Sequence, residues 1–371
     1  MGIEAQIKTV CFALVLLALA VINYSQCCRK TGVLKLCVFS VCSFLMSYVT
    51  GSALMLVFDA FSIDGALIAA IIGQALFLMA NLLKSRKRIV MPDMELDIKL
   101  PLLLCLALGV LLCNTKFGYF GMGQDQGVYQ DKAILYMYNI TEREYSFPEY
   151  DKLETEEEKS DYLTLRSKIA GMDSVSLPEN QFWNDFFWGG QYEYQNDSSS
   201  FFHGIPTFPA MLALWGRMFG LENMAGVQSL IFMLSVCILW LAMERMQIKQ
   251  SARTFATLVY TLSPEVIWTA KSTLTEPMLG LIFACFLYML CNPVEKKRWL
   301  SCIMVFMFAI WHVSVFVMIW MFIVLYWFMF IFSSNRSYIR AAILSAVAFV
   351  IGFTMMLWLA PRYTLANTSV I

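Results

Sequence analysis

VLKLCVFSVCSFLMSYVTGSALMLV, residues 33–57, holds twenty-five residues and a single charge, Lys35 near its start. A helix needs about 20 mostly apolar residues to cross the hydrocarbon core of a bilayer. This run meets that length. Working outward, runs near it recur at 9–24, 62–83, 98–113, 222–243, 251–268, 276–291, 299–311, 313–332 and 338–360. The stretch from Trp299 to Phe332 is too long for one helix, and His312 is the natural place for it to turn. The reading is an all-α polytopic membrane protein of about ten transmembrane helices. The first run is short enough for a signal peptide, but the basic pair Arg29-Lys30 follows it with no small-residue cleavage site.

Composition agrees. Apolar types make up 59% of the chain and charged types 15%, outside the range of soluble domains. The zero net charge conceals two parts. Between Lys116 and His203 there are sixteen Asp/Glu against seven Lys/Arg, a local charge of −9, so the remainder carries +9. An acidic loop outside a basic remainder argues against nucleic-acid binding. Of the eleven cysteines, most lie inside apolar runs or at their ends and none in the polar loop. They read as small hydrophobes.

The basic residues orient the chain. Arg29, Lys30 and Lys35; Lys84, Arg86, Lys87 and Arg88; Arg245, Lys249 and Arg253; Lys296, Lys297 and Arg298; and Arg336 and Arg340 all fall in connections on one side. The alternate connections hold Asp59, Asp64, the acidic loop and the stretch from Glu265 to Glu276. The positive-inside rule makes the first set cytoplasmic. The amino terminus and loop 114–205 are therefore expected outside the cytoplasm.

That loop opens with GYFGMGQDQGVYQDKAILYMYN, residues 118–139. Its glycines let the backbone turn closely at the membrane surface. Val128, Ala133, Ile134, Tyr136 and Met137 suit a short amphipathic helix on the interface. Asp125 sits just before it, where an acid also suits a plain helix cap. The loop closes with FFHGIPTFPAMLALWGRMFGLEN, residues 201–223, read as a second interfacial helix with Arg217 on its polar side. The middle carries Phe182, Trp183, Phe186, Phe187, Trp188, Tyr192 and Tyr194 among acids. Such residues suit sugar rings, and equally an aromatic belt at the bilayer surface. The acidic run at 154–158 reads as a solvated helix face, since a metal site needs converging ligands that one run does not supply.

Taken in order, these motifs resemble the first external loop of the GT-C glycosyltransferases: an Asp in a short Gly-containing motif after a span, an amphipathic helix, a Pro-punctuated helix ending in Phe-Gly, then a span. The resemblance is nearest to the bacterial branch related to protein O-mannosyltransferases and the lipid A aminoarabinose transferase. SPEVIWTAKSTLTEPM, residues 263–278, resembles that branch's short external turn. The similarity covers roughly residues 98–332. It implies N-terminal transmembrane helices over 1–97, a GT-C-like core over 98–332 that includes the loop, and a C-terminal helix with an external tail over 333–371.

Family members move a sugar from a polyprenyl-phosphate carrier to a hydroxyl acceptor with inversion. The acceptor is a cell-envelope glycan, a lipid or a protein, and the setting here would be a bacterial plasma membrane. The resemblance makes Asp125 the catalytic base, typically worth about 10²–10⁴-fold. The leaving phosphate calls for positive charge, with Lys271 as first candidate and Arg217 as second. Snorkelling to the interface would explain Lys271 equally well and Arg217 better. Glu276, His203, His312 and Tyr129 complete the candidate substrate contacts. Glu276 also suits an ion pair with Lys271, and His312 a satisfied interfacial histidine. Some GT-C branches use a divalent ion and others none, so a metal stays open.

This chain departs from the family at four points. It has Asp125-Gln126 where many relatives carry Asp-Glu, and His203-Gly204-Ile205-Pro206 where they often carry His-Pro-Pro. Three spans rather than one precede the span that bears the loop. Relatives also run on beyond the point corresponding to Ile371. The competing readings are a transporter or flippase for a lipid-linked glycan, and a non-catalytic assembly subunit.

Overall fold

The computed structural model describes residues 3–27, 30–85, 92–117, 124–141, 144–146, 154–159, 185–188, 191–194, 199–202, 204–361 and 363–364. Where the sequence is apolar the chain is helical, because away from water only the helix satisfies every backbone group within its own segment. The helices before the loop are α1 (Ile3–Cys27), α2 (Val33–Val57), α3 (Ile63–Ser85) and α4 (Leu100–Cys113). The loop is bracketed by α5 (Gln124–Met137) and α6 (Thr207–Phe219). Then follow α7 (Gly226–Arg245), α8 (Gln250–Leu262), α9 (Pro264–Lys271), α10 (Glu276–Leu290), α11 (Ser301–Ala309), α12 (Val315–Ser333) and α13 (Ser337–Leu359).

Six helical stretches among the described residues are long and apolar enough to cross a membrane, the mark of an integral membrane protein. They are Ile3–Gln26, Val33–Val57, Ile63–Leu83, Leu221–Arg245, Val315–Ser333 and Ser337–Leu359. The bent pair α9–α10 passes only when joined, with an angle of 119° at its break, and α4 is shorter. The remaining apolar runs are helical but interrupted. The run at 251–268 breaks at Ser263, because Pro264 has no N–H to continue the ladder and begins a new helix instead. The run at 299–311 yields only nine α-helical residues after a 3-10 turn over Glu295–Leu300, and the chain turns at 310–314 as His312 suggested.

Packing inside the bundle uses small and amide side chains. Gly51 on α2 lies so close to α3 that a Cβ there would meet the Ala66 carbonyl at 2.5 Å. Asn23 donates to Gln74 Oε1 at 2.6 Å, and Gln74 donates to Ser43 and Ser47. Such contacts supply helix association where lipid is as apolar as the helices. The nine cysteines whose side chains are described are all unbridged. At the start of α2, the Leu34 N–H donates to Asp97 Oδ1 at 2.8 Å, a cap supplied from 63 residues away.

The bundle has two unlike ends, roughly 30 Å apart along α7 at 1.5 Å per residue. At the Arg245 end, Lys35 and Arg253 share Glu244 at 3.4 and 3.0 Å. Arg245 donates to the Tyr288 carbonyl, and Arg298 to Ser337. Basic residues far apart in sequence thus meet. There too, β1 (Lys30–Gly32) pairs in parallel with β2 (Asp93–Glu95).

The Gly226 end carries α5, α6 and the loop. The loop adds an antiparallel sheet in the order β3 (Glu144–Ser146), β6 (Ser199–Phe202), β5 (Gln191–Tyr194), β4 (Asp185–Trp188). The sequence reading assigned no strands there. Trp188 pairs with Gln191, so two residues, Gly189-Gly190, join β4 to β5. A Gly-Gly pair between aromatic runs is a hairpin signal. The acidic run is exposed as expected: Glu158 accepts the N–H groups of Glu154 and Thr155.

Candidate functional site

The site is built around the break between α9 and α10. Ser272, Thr273, Leu274 and Thr275 are buried yet not helical, so their carbonyls need partners from elsewhere. Three parts of the chain supply partners, two of them to carbonyls and the third to the Thr273 hydroxyl. Gln228 of α7, fully buried, donates its amide to the carbonyls of Ser272 and Leu274. The Trp311 indole N–H donates to the Thr275 carbonyl at 3.0 Å. The third element is α5. Gln130 donates to Thr273 Oγ1 at 2.8 Å, and the Thr273 hydroxyl donates to the Gln126 carbonyl at 2.9 Å.

This last contact bears on Asp125. Helix α5 begins at Gln124, so Asp125 lies inside the first turn rather than before it. The acid there still favours the helix's positive end. Its side chain, like the whole of His203, lies outside the described residues. The backbone nevertheless fixes its position in the fold, because the adjacent Gln126 is tied to the segment that follows Lys271.

The end of α4 closes the other side. The Phe117 N–H donates to the Lys271 carbonyl at 3.0 Å, and Lys116 Nζ donates to the Ala270 carbonyl at 2.6 Å. Lys271 places its ammonium 4.9 Å from the centre of the Phe117 ring. Burial lowers the Lys116 pKa to about 8, with the Lys271 charge acting in the same direction and neighbouring Cys113 against it.

Behind α5, Tyr129 is buried and packs edge-on against Phe208 at 5.1 Å, and Phe208 meets Trp311 at 5.5 Å. Thr207 at the start of α6 donates to the Ile310 carbonyl at 2.9 Å. Next to Trp311, His312 Nδ1 accepts the Ser314 N–H at 3.0 Å. That bond leaves the neutral ring's proton on Nε2. Glu276 is exposed at the first position of α10. Helices α5 and α6 pack side by side, and both are mostly buried rather than lying flat on a surface.

Arg217 does not join this group. The sequence reading put it on a polar face. It is 7% exposed and contacts Asp64 at 3.5 Å, beside Lys8 at 3.2 Å from the same oxygen. Its helix is buried nearly all round, so the guanidinium reaches across to the start of α3, and its Nε has no partner among the described residues. The segment after Lys271 and the turn bearing Asp125 are brought together, while Tyr129 packs behind α5 on Phe208 and His312 follows Trp311.

Sequence reasoning missed Lys116, Gln130, Thr273, Gln228 and the buried Lys132, whose ammonium lies 5.0 Å from the Tyr136 ring. Gln228 had a readable signal, as an amide inside an apolar span. Among the described residues no three His, Cys, Asp or Glu side chains converge to hold a metal ion. Comparison of the chain with protein families, with curated proteins and with solved structures finds no match.

Proposed function

We propose that this chain is a ten-span GT-C glycosyltransferase of a bacterial plasma membrane, with its amino terminus and loop 114–205 on the non-cytoplasmic face. It would move a sugar from a polyprenyl-phosphate donor to a hydroxyl on a cell-envelope glycan, lipid or protein. The observation that carries this reading is the bond from Thr273 to Gln126, which brings the acid-bearing turn of α5 to the cationic end of α9. The basic cluster at the opposite end of α7 supports the orientation.

In this mechanism Asp125 accepts the proton of the acceptor hydroxyl as its oxygen attacks the anomeric carbon. The bond from that carbon to the phosphate oxygen breaks, and the phosphate leaves with the electron pair. Lys271 stabilises the charge that develops there. Tyr129 acts through packing, holding α5 against α6. Asp125→Asn keeps size and shape, so expression and membrane insertion should persist while sugar transfer falls by about 10²–10⁴-fold. Full activity in that variant would sink the assignment.

The bent pair α9–α10 favours a second reading. Transporters build substrate sites at interrupted helices. Reconstituted protein that moves a lipid-linked glycan across vesicles without consuming it would favour that alternative.

A further inference from the structure

The end of α9 carries more positive charge than it needs. Its eight residues present a partial negative charge at the C-terminus, which one nearby cation satisfies. Lys116 already does this through the Ala270 carbonyl, using one of three N–H donors. Lys271 adds a second ammonium within the same contact, where the Phe117 N–H and the Lys271 carbonyl lace the two segments together. Among the described residues neither lysine pairs with a carboxylate; the groups in contact are a carbonyl and an aromatic ring. Two like charges in a partly desolvated place repel unless an anion lies between them.

We infer that Lys116 and Lys271 together form a two-cation site for a phosphate dianion, with Lys116 as its second, previously unassigned half. The inference rests on the reading above for the source of the phosphate, a lipid-linked donor, but the site itself would serve free phosphate equally well. The titratable groups that face Lys116 among the described residues are Cys113, one turn back, and Lys271 on α9. With burial and Lys271 both opposing its charge, Lys116 is partly deprotonated near pH 8. A bound dianion favours the ammonium, so the empty site takes a proton from water as phosphate binds.

The test is binding of farnesyl phosphate, and separately of inorganic phosphate, to the detergent-purified full chain from pH 7 to 10. The range starts above the second ionisation of a phosphate ester, near pH 6, and inorganic phosphate, which ionises higher, is compared per dianion. Wild-type affinity should hold to about pH 8 and then fall by up to about tenfold per pH unit, the slope of one linked proton. Lys116→Arg stays charged, so it should bind as wild type at pH 7 and lose the falling limb. Lys116→Met should weaken binding by about 10- to 100-fold, the share of one charge-assisted hydrogen bond.

Much tighter binding of farnesyl phosphate than of inorganic phosphate identifies a lipid-linked source, and equal binding a free one; either supports the site. Failure of both probes to bind overturns it. So does an unchanged affinity and pH profile in both variants. Asp125→Asn separates this inference from the catalytic reading. If phosphate binding depends on Lys116 while the wild type transfers no sugar, the site stands and the transferase assignment falls.

Discussion

Thr273→Val tests whether the α9–α10 break holds the first turn of α5 in place. The two side chains have the same shape, so the change removes a hydroxyl without opening a cavity. Two bonds go: the one accepted from Gln130 at 2.8 Å and the one donated to the Gln126 carbonyl at 2.9 Å. Each is worth about 1 kcal/mol net, and stranding the buried Gln130 amide adds roughly 1–3 kcal/mol. The variant should lose about 3–5 kcal/mol of stability. Gln130→Leu alone leaves the bond to Gln126 intact and should cost about 1–2 kcal/mol. The double variant removes donor and acceptor together, so it should cost less than the sum of the singles by about 1 kcal/mol. Reversible unfolding in mixed micelles gives the three values. Because an acid displaced by about 1 Å can cost around 10²-fold in rate, sugar transfer should fall in Thr273→Val by more than stability alone explains. A Thr273→Val protein within about 0.5 kcal/mol of wild type, with additive singles, would refute the argument that this hydroxyl fixes Asp125.

Two further outcomes follow from particular side chains. A Cβ at Gly32 would collide with the Asp97 carboxylate, so Gly32→Ala should evict the cap on α2 and cost about 1–2 kcal/mol of thermal stability. Gly73→Ala on α3 meets nothing within 4 Å and should be neutral or mildly stabilising in the same melt. Lys116 gives a pH signature. The folded state lowers its pKa from 10.5 to about 8, so between those values the unfolded chain binds more protons. Stability should therefore climb with pH through that window, the penalty being fully present below about pH 8. The wild-type melting temperature should rise across it relative to Lys116→Met; parallel curves would contradict the burial of this ammonium.

The helices were legible because lipid leaves a chain few choices: residues 33–57 fold as one helix with those bounds. Interruptions were harder. Pro264 announced the break after α8, yet the apolar run on both sides reads as one span. A nine-residue helix at 301–309 is viable only because neighbours cover it, and no local pattern encodes that. Within the site, Asp125 and Lys271 stood out as charges beside spans, and the fold brings their segments together. Gln130 and Thr273 did not stand out, since an amide and a hydroxyl are ordinary loop residues until burial gives their pairing weight. Arg217 misled for the opposite reason: a charge on a short helix reads as solvated, and only the approach of Asp64 from α3 reveals an internal role.

The side-by-side packing of α5 and α6 has a consequence for how such a chain could diversify. These helices hold the chain on both sides of residues 142–203 against the bundle. The entropy of closing a tethered segment grows only with the logarithm of its length, so doubling it costs roughly 0.6 kcal/mol. The strands β3 to β6 could therefore be lengthened, shortened or exchanged while the spacing between the turn of Asp125 and the end of α9 stayed the same. What the loop recognises and what the bundle holds in register can change on separate evolutionary clocks.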